Sequence, residues 1–388
     1  MNGSRSREAR VGIFRSPAEF RNFSMDGYAE NLAAGLRARC AGFASIEQVR
    51  PPVQRASAWL QRGRVSGRLA GHVSRYPRYL LHARTTRFSI NHVVDHAYGH
   101  LTYALDPRRT VVTCHDIFPL KAWKGGIPGV PRPLLPPVTV LASLSGLRRA
   151  RFVVTPTQAT KHDLVEYLGL PAANIHVVPY GLDPALCPLD LSARADAARR
   201  FPLAGGAARY ILAVDTAAAY KNQRATIETL ARARARSSAD IRLVRVGPPL
   251  LEIERQRARR HGVEEFIIEL GPRPRAEMAS IYGRSDLLLF PSFYEGFGWP
   301  PLEAMACGVP VVSSRAAAVS EVVADAALQA DADDYEALTG HVLTILAGGE
   351  TSRRLVERGR ARAATFTWDR AARDIAELYG SILQERGA

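Results

Sequence analysis

The chain has 388 residues, 47% hydrophobic and 23% charged, which suffices for two globular domains and excludes a disordered or fibrous polypeptide. Its formal net charge of +15 is unevenly placed. Residues 1–200 hold 28 Lys and Arg against 13 Asp and Glu, whereas residues 201–388 hold 24 of each. Cys40, Cys114, Cys187 and Cys307 lie far apart and form no C-x-x-C pair, which argues against a disulfide framework or zinc site and for a reduced, cytoplasmic setting.

The opening MNGSRSREARVGIF lacks the apolar stretch of a signal peptide. Strand-like apolar runs then follow near 10–14, 88–94, 110–114, 151–155, 175–179, 209–214, 241–246, 266–269, 286–290 and 310–313, alternating with helical stretches. That alternation predicts parallel sheets covered by helices, hence two doubly wound α/β domains. Residues 1–185 make the first domain and 207–367 the second. The linker at 186–206 lies in a seam marked by Pro184, Pro188, Pro202 and a Gly-Gly pair, and residues 368–388 form a closing helix. The most apolar run, Pro133 to Leu147, is broken by Pro136 and Pro137 and is too short to span a bilayer.

Between residues 51 and 150 the basic-to-acidic ratio is 15 to 3. Nucleic acid, an anionic membrane surface and an acidic acceptor would each account for it. No zinc finger, helix-turn-helix or aromatic RNA-binding signature is present, so nucleic acid is not expected. In 62–81, Val65, Leu69, Val73, Tyr76 and Leu80 follow helical spacing beside Arg64, Arg68 and Arg75, although Pro77 interrupts the run. Such a stretch suits either a membrane interface or a core-packed helix with a solvated arginine face.

The most informative block is Tyr294 to Gly308, YEGFGWPPLEAMACG. Two glutamates, Glu295 and Glu303, stand eight positions apart across a Gly-aromatic-Gly turn and a Pro-Pro pair that opens a helix ending at Gly308. The spacing puts Glu295 on a loop after a strand and Glu303 in the first helical turn. The amides of Phe297, Gly298, Leu302 and Glu303 then converge at a helix N-terminus, which favours an anion. Carboxylates beside a phosphate pocket suit hydroxyl groups, and a nucleotide sugar offers both diphosphate and hydroxyls. The plainer reading is a strand-to-helix turn with two solvated glutamates.

This block resembles the E-x7-E signature of the family-4 retaining glycosyltransferases. The likeness extends to Ile211–Val214 followed by Lys221-Asn222, to Val153–Asp183, to Val111–Asp116 (VVTCHD) and to Phe366-Thr367-Trp368, in the family's order. It implies the GT-B fold, two Rossmann-like domains facing each other across a deep cleft, with the acceptor on the first, the nucleotide sugar on the second and the last helix crossing back. It also implies transfer of a hexose from a UDP- or GDP-linked donor with retention, no metal or other cofactor, and a glycan or lipid-linked acceptor. Together with the basic first half, this suggests a peripheral enzyme at the inner face of the plasma membrane. The alternatives are tailoring of a soluble small molecule and a non-catalytic protein of the same fold.

By the resemblance, Lys221 stabilises the leaving diphosphate, Glu295 contacts the donor sugar, Glu303 the ribose, and His115 the sugar from the opposite wall. Asp116 orients His115 or caps its loop, and Asp95, His96 and Gly27 are further acceptor-side candidates. The chain departs from the family at two places. Thr216 and Tyr220 occupy the positions of a second basic group, leaving Arg273 or Arg275 to compensate, and Phe23–Gly27 keeps one glycine of a Gly-rich loop. Two metal readings are set aside. Asp331, Asp333 and Asp334 suit a polar surface loop, and His92, His96 and His100 do not align because a strand ends among them.

Overall fold

In the computed structural model, the described residues are 9–17, 23–51, 77–135, 138–188, 197 and 208–385. They divide into two compact units. The first comprises residues up to Trp123, Leu134–Gly181 and those from Thr367 on; the second comprises Lys124–Pro133 and Leu182–Phe366. The chain thus leaves the first unit at Gly181, ahead of the proline-rich seam, most of which lies outside the described residues. Residues 124–133 pack with the second unit, where Gly129 lies against the Phe293 ring. Arg64, Arg68 and Arg75 also lie outside the described residues.

Each unit is built on a six-stranded, all-parallel sheet. In the first, β1 (Ala9–Phe14), β2 (Ala44–Val49), β3 (Ile90–Val93), β4 (Thr110–Thr113), β5 (Phe152–Thr155) and β6 (Ile175–Val177) run in the order β2-β1-β3-β4-β5-β6. In the second, β7 (Arg209–Val214), β8 (Ile241–Val246), β9 (Ile267–Gly271), β10 (Leu287–Phe290), β11 (Val311–Ser314) and β12 (Leu328–Ala330) run in the order β12-β11-β10-β7-β8-β9. β4, β5, β10 and β11 are buried along their whole length, as expected when helices cover both faces. The expected α/β class with two doubly wound sheets is therefore the observed one. Sequence reading passes over β2 and β12. Both are edge strands; β2 carries Glu47 and Gln48, and β12 has only three residues.

The helix Trp368–Gln384 belongs to the first unit. Thr367 caps it by accepting from the Arg370 amide, and Ala371, Ala372, Ile375, Leu378, Tyr379 and Ile382 form one buried stripe. The stripe meets the helix Phe23–Arg39, where Gly35 faces Ala372 and Arg39 pairs with Asp369. Tyr379 explains a polar residue inside β3: its hydroxyl lies 2.6 Å from His92 Nδ1, and Thr113 Oγ1 lies 2.7 Å from Nε2.

The second unit buries a charge network at the carboxyl ends of β7, β8 and β9. Arg245, almost wholly enclosed, meets Asp215 at 2.8 Å and Glu269 at 3.0 Å. Asp215 also accepts from Gln223, and Glu269 from Arg255 and the Leu250 amide. These partners make the buried guanidinium tolerable.

In the first unit the helix Val138–Leu147 packs closely, backbone to backbone, on the 3-10 helix His96–Tyr103. A Cβ on Gly146 would run into the Gly99 carbonyl, and neither backbone can give way cheaply. Gly146→Ala is expected to destabilise the protein by about 3 kcal/mol, read as a lower urea midpoint with an unchanged slope.

Candidate active site

Lys221 is the last residue of a 3-10 turn, Ala219–Lys221, that follows β7. The next residue, Asn222, has φ 56° and ψ 53°, the left-handed conformation that asparagine tolerates better than most side chains. Its Oδ1 accepts from the Ala225 amide and so starts the helix Gln223–Arg236. Its Nδ2 donates to Pro291 O at 3.0 Å and Ala332 O at 2.7 Å. A single side chain thereby ties the Lys221 turn to the ends of β10 and β12. The Phe293 amide, donating to Tyr220 O at 2.8 Å, adds a second tie.

These ties bring Lys221 to Glu295. The ammonium lies 2.7 Å from Glu295 Oε1, and the two side chains are only 12% and 10% exposed. Lys221 Nζ also stands over the rings of Tyr220 (5.1 Å) and Phe290 (5.4 Å). Burial works to lower the ammonium's pKa, but Glu295, then Tyr220 and Asp215, outweigh it and hold it above the ordinary lysine value. The companion of Lys221 is thus a carboxylate, with Tyr220 packed beneath.

Glu303 sits one turn deeper than its spacing suggests. The helix Trp299–Ala306 takes Gly298, at φ 105°, as its cap, with Pro300 and Pro301 as second and third residues. Only the first four amides of a helix lack internal partners. Leu302 and Glu303 fall beyond them, so the expected convergence of their amides is not found, and the Leu302 side chain is core. Phe297 is likewise buried, edge-on to Trp299 and Phe366. Glu303 Oε2 accepts from the Tyr282 hydroxyl at 2.8 Å. Burial raises the Glu303 pKa, against the pull of Tyr282 and Arg275. Arg273 is partly exposed, its Nη1 3.7 Å from Glu277, while Arg275 pairs with Asp183 at 2.8 Å.

In the first unit, His115 follows β4 and is buried with both ring nitrogens engaged. Nε2 lies 2.8 Å from Val94 O, a group that only accepts, so Nε2 carries the proton and Nδ1 accepts from the Tyr180 hydroxyl. Tyr28 packs edge-on against the ring. Burial lowers the pKa of His115 to about 4 and that of His92 to about 3. His115 is therefore a neutral, internally satisfied histidine with no ring nitrogen left for a sugar, contrary to its expected role. His96 is the more open neighbour: its Nδ1 accepts the His115 amide at 3.3 Å and stands 3.9 Å from Asp95. Asp95 caps the 3-10 helix through the Ala97 amide, and Asp116 accepts from the Phe118 amide. Gly27 is not in a loop. It lies in the helix Phe23–Arg39 and its carbonyl accepts from Asn31, while the adjacent Asp26 pairs with Arg15 and Arg50.

Sequence reading missed Tyr282 and the structural part played by Asn222. Their contacts join residues far apart in the chain and leave no local pattern.

Two family models match the chain: "Glycosyl transferases group 1" over residues 196–362 and "Glycosyltransferase Family 4" over 28–186. Together they span most of it, and the chain belongs to the family-4 glycosyltransferases of GT-B fold. It is 40% identical over 116 residues to an Escherichia coli protein named O-antigen chain mannosyltransferase B, 30% of each chain. It is 30% identical over 277 residues to a D-inositol 3-phosphate glycosyltransferase from Acidothermus cellulolyticus, covering 68% of this chain and 59% of that one. The matched stretch spans less than two thirds of these relatives' own length. In fold it is similar to the Anabaena protein HepE in complex with UDP and glucose. That likeness has a TM-score of 0.72 at 18% identity and covers 96% of this chain and all of that one.

Two outcomes follow from this geometry. Asn222→Ala removes a cap and two buried hydrogen bonds while keeping the left-handed backbone, and is expected to cost about 2 kcal/mol or more in urea unfolding. Because His92 and His115 are neutral when folded, unfolding lets each bind a proton below its ordinary pKa of 6.5. Their contribution is intact above pH 6.5 and is lost progressively as pH falls towards 4 and then 3. Urea midpoints measured at pH 7, 6 and 5 should fall in that order, and less steeply in His92→Gln.

Proposed function

We propose that this protein is a retaining glycosyltransferase that transfers a hexose from a UDP- or GDP-linked donor to a glycan or lipid-linked acceptor in cell-surface polysaccharide assembly. The observation that carries the reading is the buried Lys221–Glu295 pair, with Glu295 on the loop that leads into the helix Trp299–Ala306. A paired, enclosed ammonium is a charge held ready for a departing diphosphate. A paired carboxylate next to it is placed to accept from sugar hydroxyls once the phosphate takes the ammonium. The relative named for O-antigen mannose transfer and the neighbour crystallised with UDP and glucose favour the same donor and acceptor classes.

The chemistry is mostly positioning and stabilisation of charge that grows as the glycosidic bond breaks. Lys221 neutralises the leaving diphosphate, Glu295 orients the sugar and Glu303 holds the ribose. Attack comes from the same face as departure, with the leaving phosphate taking the acceptor's proton, so the anomeric configuration is kept. The reading needs no metal, because the nearby acids already have partners: Glu295 has Lys221, and Asp215 has Arg245 and Gln223. Asp331 faces Arg315, and Asp334 caps the helix Tyr335–Leu346.

Peripheral association with the inner membrane face belongs to the same proposal. Among the described residues no helix is long and apolar enough to cross a membrane. The basic first half displays Leu134, Leu135 and Val138 at 98%, 80% and 69% exposure, beside Arg132. Apolar side chains next to basic ones suit an anionic lipid surface.

Lys221→Ala and Glu295→Ala should each lower turnover of a nucleotide sugar by about a hundredfold or more while the protein stays folded. Activity should survive excess EDTA, and the product's anomeric configuration by NMR should match the donor's. Wild-type turnover in either variant removes that residue from the mechanism, and inversion refutes the front-face attack.

A further inference from the structure

We infer that Tyr282 is a positioning residue for the donor nucleotide: it fixes Glu303 Oε2 so that Oε1 is presented to a ribose hydroxyl. The inference rests on the reading that Glu303 holds the ribose. Tyr282 lies on the helix Arg275–Gly283 with no exposed surface, so its hydroxyl has no access to water and needs an acceptor inside the protein. Glu303 Oε2 is that acceptor, at 2.8 Å and from a different helix. No described residue donates to Oε1, and the Glu303 side chain is half-buried rather than sealed.

A carboxylate with one oxygen anchored has lost its rotational freedom before the ligand arrives. A hydroxyl binding at the other oxygen therefore meets an acceptor already in place. Burial pushes the Glu303 pKa up, and the Tyr282 hydrogen bond, then Arg275 on the same helix as Tyr282, work against it, while Asp183 adds to the rise. Tyr282 is thus the one hydrogen-bond donor among the described residues that fixes the direction of the group.

The test uses the full-length protein, with UDP and GDP as probes by calorimetry, and then the 2′,3′-dideoxy form of whichever binds more tightly. Wild type should bind the ribose form about tenfold better than the dideoxy form, as expected for one hydrogen bond to a charged group. Tyr282→Phe should weaken ribose binding by a similar factor and leave dideoxy binding unchanged, so that the two losses do not add. Equal weakening of both ligands would make Tyr282 merely structural and overturn the inference. The control for the underlying reading is Glu303→Gln: if it keeps the full preference for ribose, Glu303 does not hold the ribose, whatever Tyr282 does. A second readout does not depend on the dideoxy ligand. Loss of the Tyr282 hydrogen bond, which lowers the Glu303 pKa, should move the acid limb of nucleotide affinity to higher pH. An unmoved limb would count against the inference.

Discussion

The left-handed backbone at Asn222 is the constraint on which the second unit's site depends. A helix has to begin immediately after Lys221, and Asn222 reverses the chain there while its side chain spans to Pro291 and Ala332. The carboxyl ends of β7, β10 and β12 are thereby held at fixed separations. Lys221 and Glu295, 74 residues apart, meet at 2.7 Å because the loops that carry them have no freedom to part. Enclosing an ammonium and a carboxylate is tolerable only while each has the other, and removing one strands a buried charge. The proposed ligand, carrying anionic phosphates and neutral hydroxyls, offers a replacement partner to each.

The histidines of the first unit show the opposite use of the same side chain. His92 and His115 are hydrogen-bonded at both nitrogens, kept neutral by burial and built into the packing between β3, β4 and the last helix. They join tyrosines from distant parts of the chain, Tyr379 and Tyr180, to the ends of the strands. Their contribution is to the shape of the unit, beside the more open His96.

The fold was legible because a parallel sheet covered on both faces leaves long apolar runs at regular intervals. Ten of the twelve strands among the described residues announce themselves this way; β2 and β12 do not, since an edge strand needs less apolar surface and tolerates Glu47 or a length of three residues. Glu295 and Lys221 were legible as residues with a chemical use, but their pairing was not, because a contact between loops leaves no periodic mark. Prolines misplaced Glu303: Pro300 and Pro301 were read as opening the helix, yet any of its first unpaired amides can be a proline, and Trp299 comes before them. The resemblance marks His115 as a sugar contact because its place after a strand is visible in sequence, whereas the Tyr180 hydroxyl and Val94 carbonyl that occupy its ring are not. The resemblance puts Gly27 on a Gly-rich loop, whereas the chain is already helical there, with the adjacent Asp26 paired to Arg15 and Arg50.

The enclosed Arg245 bears on how this part of the protein can change. Asp215 and Glu269 face it from the two flanking strands, so exchanging the arginine alone leaves Asp215 without a counter-charge and Glu269 with Arg255 alone, and exchanging one acid leaves the cation half-matched. The three positions form a single heritable unit, open to replacement by a well-packed apolar set but closed to stepwise drift. Laboratory evolution that varies one codon at a time would find this corner frozen, while libraries varying residues 215, 245 and 269 together would reach alternatives.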